Sequence, residues 1–241
     1  MHTPNLPMYY EILAELGRGT TGIVYKVRHK LFNRVIAVKV PVLVSEQDRA
    51  VPPEWFMREC EAMVRLGGEG IPEIFDVAVA HGQSFCSREF VDGETLAERV
   101  QSHSITPRDG LRIVGTLART VARVHAMGLV HRNLHQSNIL VGVDGVPKLI
   151  GFGRCGLLAG WNPSDPGQGT PAQIDIAALQ NIMLWIYTSL SEPVPHGLDP
   201  GQPCAKITSM AELAESLDQT LRQLGTPSPL TLWQRFLRLF A

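Results

Sequence analysis

Four cysteines in 241 residues, Cys60, Cys86, Cys155 and Cys204, are too few and too scattered for a disulfide framework. They sit far apart, with no pairing or CxxC spacing. Free or buried thiols in a reducing cytoplasm are the expectation. No long hydrophobic run is present: the densest, "IMLWIY" at 182–187, is far too short to cross a bilayer. The opening segment, MHTPNLPMYYEIL, lacks a basic start and an apolar core, so it does not read as a signal peptide. Neither sign of charge is in excess. The net charge is −1, which gives no reason to expect nucleic acid as a partner and no solvating tail.

What is present is an ordinary globular composition, 44% hydrophobic and 19% charged, in a chain long enough for one large domain or two small lobes. Residues 9–40 read as three strands with a Gly-rich turn between the first two. "GIVYKVRHK" alternates Ile23, Tyr25 and Val27 with Val24, Lys26 and Arg28, as a half-buried strand does. Pro52 and Pro53 precede "EWFMRECEAMVRL", a helix with Trp55, Phe56, Cys60, Met63, Val64 and Leu66 on one face, closed by "GGEG". Two strands follow at 72–80 and 84–91. After Gly93 the period changes. Helices are expected at 94–102 and 107–127, short strands at 139–141 and 147–150, and a Gly/Pro-rich loop at 153–173. An apolar helix follows at 174–190, and a last one after Ser209, a suitable N-cap. The expected class is α+β: a small β-rich first lobe with one main helix (9–91), a shortened, mostly helical second lobe (92–225) and a C-terminal segment (226–241).

Several motifs carry chemistry. "GRGTTGIV" (17–24) fits GxGxxGxV between two strands, where glycines let backbone N–H groups approach phosphates. "IAVK" (36–39) sets Lys39 in an apolar strand, and a buried ammonium needs an anion. Glu59 on the next helix is the natural partner. "HRNLHQSNIL" (131–140), "PKLIGFG" (147–153) and "GTP" (169–171) follow in order.

This ordered series resembles the eukaryotic-type protein kinase family, in its bacterial serine/threonine branch, over nearly the whole chain. The resemblance implies a two-lobed fold with a nucleotide cleft. Gly17, Gly19 and Gly22 would cover the phosphates of ATP, and Lys39, held by Glu59, would contact them. Val24, Ala37 and Leu140 would sandwich the adenine, and the backbone of Glu89–Val91 would meet its edge. Asp175 would pin the catalytic-loop backbone at His131. Met63, Phe75, His131 and Phe152 take the positions of an apolar spine through both lobes.

The departures from the family decide function. The catalytic-loop aspartate is Asn133, which can orient a hydroxyl but not accept its proton. The lysine two residues later is His135, largely uncharged at neutral pH. The metal-binding aspartate is Gly151, leaving Asn138 as a lone neutral ligand for magnesium, a cation that prefers carboxylates. Losing the base alone implies activity roughly 10⁴-fold below a competent kinase. The peptide-docking segment before Asp175 is reduced to Ala172, Gln173 and Ile174.

Arg88 falls where the family has an apolar gatekeeper at the back of the adenine pocket. Either it enters the cleft and shares Glu59 with Lys39, partly filling the pocket, or its register turns it to solvent. ATP binding is favoured by the glycines and Lys39, and opposed by Gly151 and Arg88.

"PLTLWQRFLRLFA" (229–241) forms an amphipathic pattern. It suits a helix capping the second lobe, with a membrane surface or partner contact through 230–240 as the alternative. The expectation is a pseudokinase acting as a regulatory or scaffolding module on a protein partner, such as another kinase or signalling protein. The alternative is an ATP-dependent serine/threonine kinase with residual or altered transferase activity.

Overall fold

A computed structural model describes residues 4–19, 21–42, 52–157, 170–192 and 207–225. The amphipathic segment at 226–241 lies outside them, as does Cys204.

The first lobe is a five-stranded antiparallel sheet in the order β1-β2-β3-β5-β4. Its strands are β1 (Tyr10–Gly19), β2 (Gly22–His29), β3 (Arg34–Val40), β4 (Ile74–Ala80) and β5 (Gln83–Glu89). Alternation on β2 and β3 gives the sheet two unlike faces. Tyr25, Val27, Ile36, Val38, Val40 and Phe85 form one apolar cluster. Helix α1 (Glu54–Leu66) is seated through Phe56 and Cys60 against Cys86 of β5. Its buried face includes Glu59, as the pattern requires of a partner for Lys39. Val64, expected on that face, is 61% exposed, because the stripe runs through Phe56, Cys60, Met63 and Leu66 instead.

The second lobe is organised by α3 (Pro107–Ala126), whose start is fixed by local chemistry. Thr106 caps Asp109 N–H, the Asp109 carboxylate returns to Thr106 N–H, and Pro107 occupies the first turn. Leu111, Val114, Leu117, Ala118, Val121 and Val124 are fully buried along one stripe. Helices α4 (Pro171–Ser189) and α5 (Met210–Gly225) pack on it. Ser209 Oγ accepts from Glu212 N–H, the cap expected for α5.

The structure differs from the sequence reading at short elements. The helix expected at 94–102 is a strand, β6 (Gly93–Thr95), then α2 (Leu96–Gln101). Strand pairing with β8 (Ile139–Gly142) captures the first residues, and the Thr95–Glu98 capping box begins the helix after them. β9 (Pro147–Leu149) completes this small sheet. Two further two-residue strands, β7 (Leu129–Val130) and β10 (Gly156–Leu157), pair with each other where a loop was expected from 153 onward. Phe152–Arg154 is a single 3-10 turn. Helix α4 begins at Pro171, not 174: Thr170 caps Gln173 N–H, so residues 172–174 are its first turn. No linker remains there to carry a docking segment. Among the described residues, no helix is long and apolar enough to cross a membrane.

Candidate functional site

The two lobes meet around a cavity of about 790 Å³. The turn between β1 and β2 overhangs it with Gly17, Gly19, Thr21 and Gly22, and Val24 follows on β2. A Cβ on Gly22 would stand 2.6 Å from Val40 O, so close approach of this turn to β3 requires glycine there. A Cβ on Gly17 or Gly19 would meet nothing, so packing does not explain those two.

The inner wall holds three buried charges. Lys39 Nζ donates to Glu59 Oε2 at 2.6 Å and to Thr21 Oγ1 at 3.2 Å. Arg88, on the strand beside β3 and opposite Ala37, is turned inward. Its Nη1 lies 3.9 Å from Glu59 Oε1. Of the two orientations left open by the sequence, the structure has the inward one. The three residues expose only 8% (Lys39), 4% (Glu59) and 5% (Arg88) of their surface.

The opposite wall carries Asn133, His135, Asn138, Ile150 and Gly151. Asn138 Nδ2 donates to Asn133 O at 2.9 Å and lies 2.8 Å from His135 Nε2, which accepts from it. Burial, and then Arg154, push the His135 pKa down from its ordinary value, so the ring is held neutral. Gly151 adopts φ 85, a left-handed conformation natural to glycine. A Cβ at 151 would stand 2.5 to 2.7 Å from the Asn138 carboxamide atoms. The space beside Gly151 is thus filled by Asn138 itself. The donor set does not fit a magnesium ion: it offers only the neutral amide oxygens of Asn133 and Asn138 and no carboxylate. Among the described residues, no cluster of three or more histidine, cysteine or acidic side chains could hold a metal.

Beneath this wall the loop backbone is pinned. Asp175 is fully buried. Its Oδ2 accepts from His131 N–H at 2.8 Å and its Oδ1 from Arg132 N–H at 2.9 Å. His125 Nε2, 2.9 Å from Oδ2, is a third contact that the sequence reading missed. Its only signal was a histidine in the last turn of α3. The His131 ring packs edge-on against Phe152 at 4.5 Å. Its Nε2 donates to Ile150 O, and its Nδ1 accepts from Asn133 N–H. Burial pushes its pKa down to about 4, consistent with that neutral tautomer.

Met63 and Phe152 share the main core with Leu66, Leu134 and Ile139. Phe75 does not join them. It is 36% exposed, with the Arg34 guanidinium 4.4 Å over its ring, and Ile74 packs inward in its stead. A register shift between Ile74 and Asp76 on β4 accounts for the exchange. Ala37, Glu89, Val91 and Leu140, read as holding a base, do not line this cavity. Glu89 N–H is already donated to Glu73 O, and its carboxylate takes Lys148 Nζ at 2.5 Å.

Comparison with known proteins agrees with this geometry. The family description "Protein kinase domain" matches residues 10–172. The serine/threonine-protein kinase PknD of Mycobacterium tuberculosis is 33% identical over 147 residues, 60% of this chain and 22% of that protein. The serine/threonine-protein kinase AfsK of Streptomyces coelicolor is 26% identical over 259 residues, 96% of this chain and 32% of that protein. The chain therefore spans a third or less of the length of these curated relatives.

Proposed function

This chain belongs to the protein kinase family, and from that premise we propose that it is a pseudokinase: a regulatory or scaffolding module whose cleft does not carry out competent phosphoryl transfer. One observation carries the reading. The Asn138 carboxamide lies where a side chain at 151 would stand, and it is tied to Asn133 and His135. No carboxylate faces the cavity from Asn133, Asn138 or Gly151. A base to take the substrate proton and an acid to hold the metal are both lacking, and these losses act on different parts of the reaction.

A regulatory role requires a surface for a protein partner. Arg58, Arg65, Arg132 and Arg154 gather around a second cavity of about 530 Å³ with Glu61 as the one acid on its lining and Arg58 paired with Glu54, an excess of positive charge that supports an acidic or phosphorylated segment of that partner. One observation favours the alternative of residual transferase activity. The Lys39–Glu59 pair is closed at 2.6 Å, the arrangement that phosphate positioning needs.

The deciding experiment is incorporation of labelled γ-phosphate from ATP into the chain itself and into a generic protein substrate, with magnesium or manganese. Incorporation no higher than that of a heat-denatured control is expected. Transfer within roughly 10⁴-fold of a competent kinase would overturn the reading.

A further inference from the structure

We infer that Arg88 and Lys39 form a two-cation site at the inner end of the cleft that takes a polyphosphate anion free of divalent metal, such as the phosphate chain of a nucleotide. This rests on the kinase-like cleft of the preceding reading and adds what neutralises the ligand in it.

The buried charges do not balance. Glu59 is one anion between two cations, each at least nine-tenths buried. Its Oε2 is committed to Lys39 at 2.6 Å. Its Oε1 is 3.9 Å from Arg88 Nη1, too far for a hydrogen bond. Among the described residues, no acceptor lies within hydrogen-bond reach of the Arg88 guanidinium. An excess positive charge with so little water to solvate it is costly unless an anion completes it.

The place from which an anion can do so is the cavity, because Arg88, Lys39, Thr21 and the glycine turn all border it. Its lining holds Lys39, Arg88 and Arg154 against Glu59 and Glu98, while Arg18, also on the lining, is paired with Glu15 at 2.8 Å. Glu98 is turned back to cap Thr95 through its N–H and hydroxyl, both at 2.8 Å. The facing wall is neutral, with Asn133, His135, Asn138 and Gly151.

A polyphosphate entering here finds its charge partners in the protein. A divalent cation on the ligand would cancel part of the charge these side chains complement, and no carboxylate on the facing wall would receive the ion. The dependence on magnesium is therefore inverted: the metal weakens binding.

The test is titration calorimetry on the full chain with ATP and with inorganic triphosphate, in EDTA and then in excess magnesium. Arg88→Met and Arg88→Lys are run beside the wild type. Both ligands should bind in EDTA, and excess magnesium should lower the affinity several-fold. Arg88→Met should lose about tenfold or more for both ligands alike, the scale of one hydrogen-bonded charge contact. Arg88→Lys, which keeps the charge, should recover most of that loss. It also serves as the readout if Arg88→Met does not fold, since an affinity for triphosphate more than tenfold below wild type would then count against the site. Tighter binding with magnesium, or Arg88→Met binding as wild type does, overturns the proposal. Silence toward both ligands in EDTA overturns it too, while leaving the absence of phosphoryl transfer, which is measured separately, untouched.

Discussion

Asn138 and Gly151 are fitted to each other: a Cβ on Gly151 would stand 2.6 Å from Asn138 Cγ, well inside van der Waals contact. The glycine at this position is therefore more than a missing aspartate. Its neighbour has closed over the gap and formed a hydrogen-bonded cluster with Asn133 and His135.

Restoring the aspartate alone should consequently fail. Gly151→Asp must displace Asn138 and place a side chain at φ 85. The expected cost is about 1–3 kcal/mol, from strained backbone and lost packing. Chemical denaturation of the variant measures it. A magnesium-dependent rise in melting temperature in Gly151→Asp, absent from the wild type, would show that the metal site reopens by one substitution.

Asp175 should be among the most sensitive positions in the second lobe. It is fully buried and accepts from two backbone N–H groups of the 131–132 turn, with His125 as a third partner. Asp175→Ala leaves these donors without an acceptor and should cost about 3–5 kcal/mol. Asp175→Asn keeps one acceptor oxygen and should cost less. Equal stabilities for the two variants in urea titrations would contradict this account.

Lys39 and Arg88 should be coupled through Glu59. Either cation alone leaves the buried carboxylate one partner, and losing both leaves it none. In a double-mutant cycle of Lys39→Met and Arg88→Met, the double variant should lose more than the sum of the singles, by about 1–3 kcal/mol. Additive losses would mean that Glu59 does not link them.

His131 sets a pH dependence whose sign follows from its burial. Its pKa is about 4 in the folded chain against an ordinary 6.5. Below 6.5 the unfolded chain takes up a proton that the native ring refuses, so unfolding is favoured as pH falls. The contribution is complete above 6.5, is lost progressively between 6.5 and about 4, and amounts to at most about 3 kcal/mol. Melting temperatures of wild type and His131→Phe, compared from pH 7.5 to 4.5, isolate it: the wild type should fall more steeply. Parallel curves would mean that His131 titrates normally.

Much of this was legible in the chain. Helix α3, expected at 107–127, was readable because its stripe of Leu111, Val114, Leu117 and Val121 keeps the helical period; the Thr106–Asp109 capping box that fixes its start came from the structure. The ordered motifs named the cleft residues, and Asn133 and Gly151 named what is missing from them. Local signals failed at β6, β7 and β10, two or three residues each, whose pairing is decided by distant partners. They also failed at Phe75, where a shift in β4 register exchanged it for Ile74. A period-2 pattern does not reveal a slipped register.

The sequence by itself determined which chemical groups are available: a lysine, a glutamate and glycines suited to phosphates, with no carboxylate at 133 or 151. Those are properties of residue type, and no folding alters them. Only the tertiary structure decided how the groups are shared. It turned Arg88 inward, divided Glu59 between two cations, closed Asn138 over Gly151 and brought His125 onto Asp175. Each of these is a contact between residues distant in the chain or set by backbone geometry, and its energy depends on burial and separation, which the order of residues does not record.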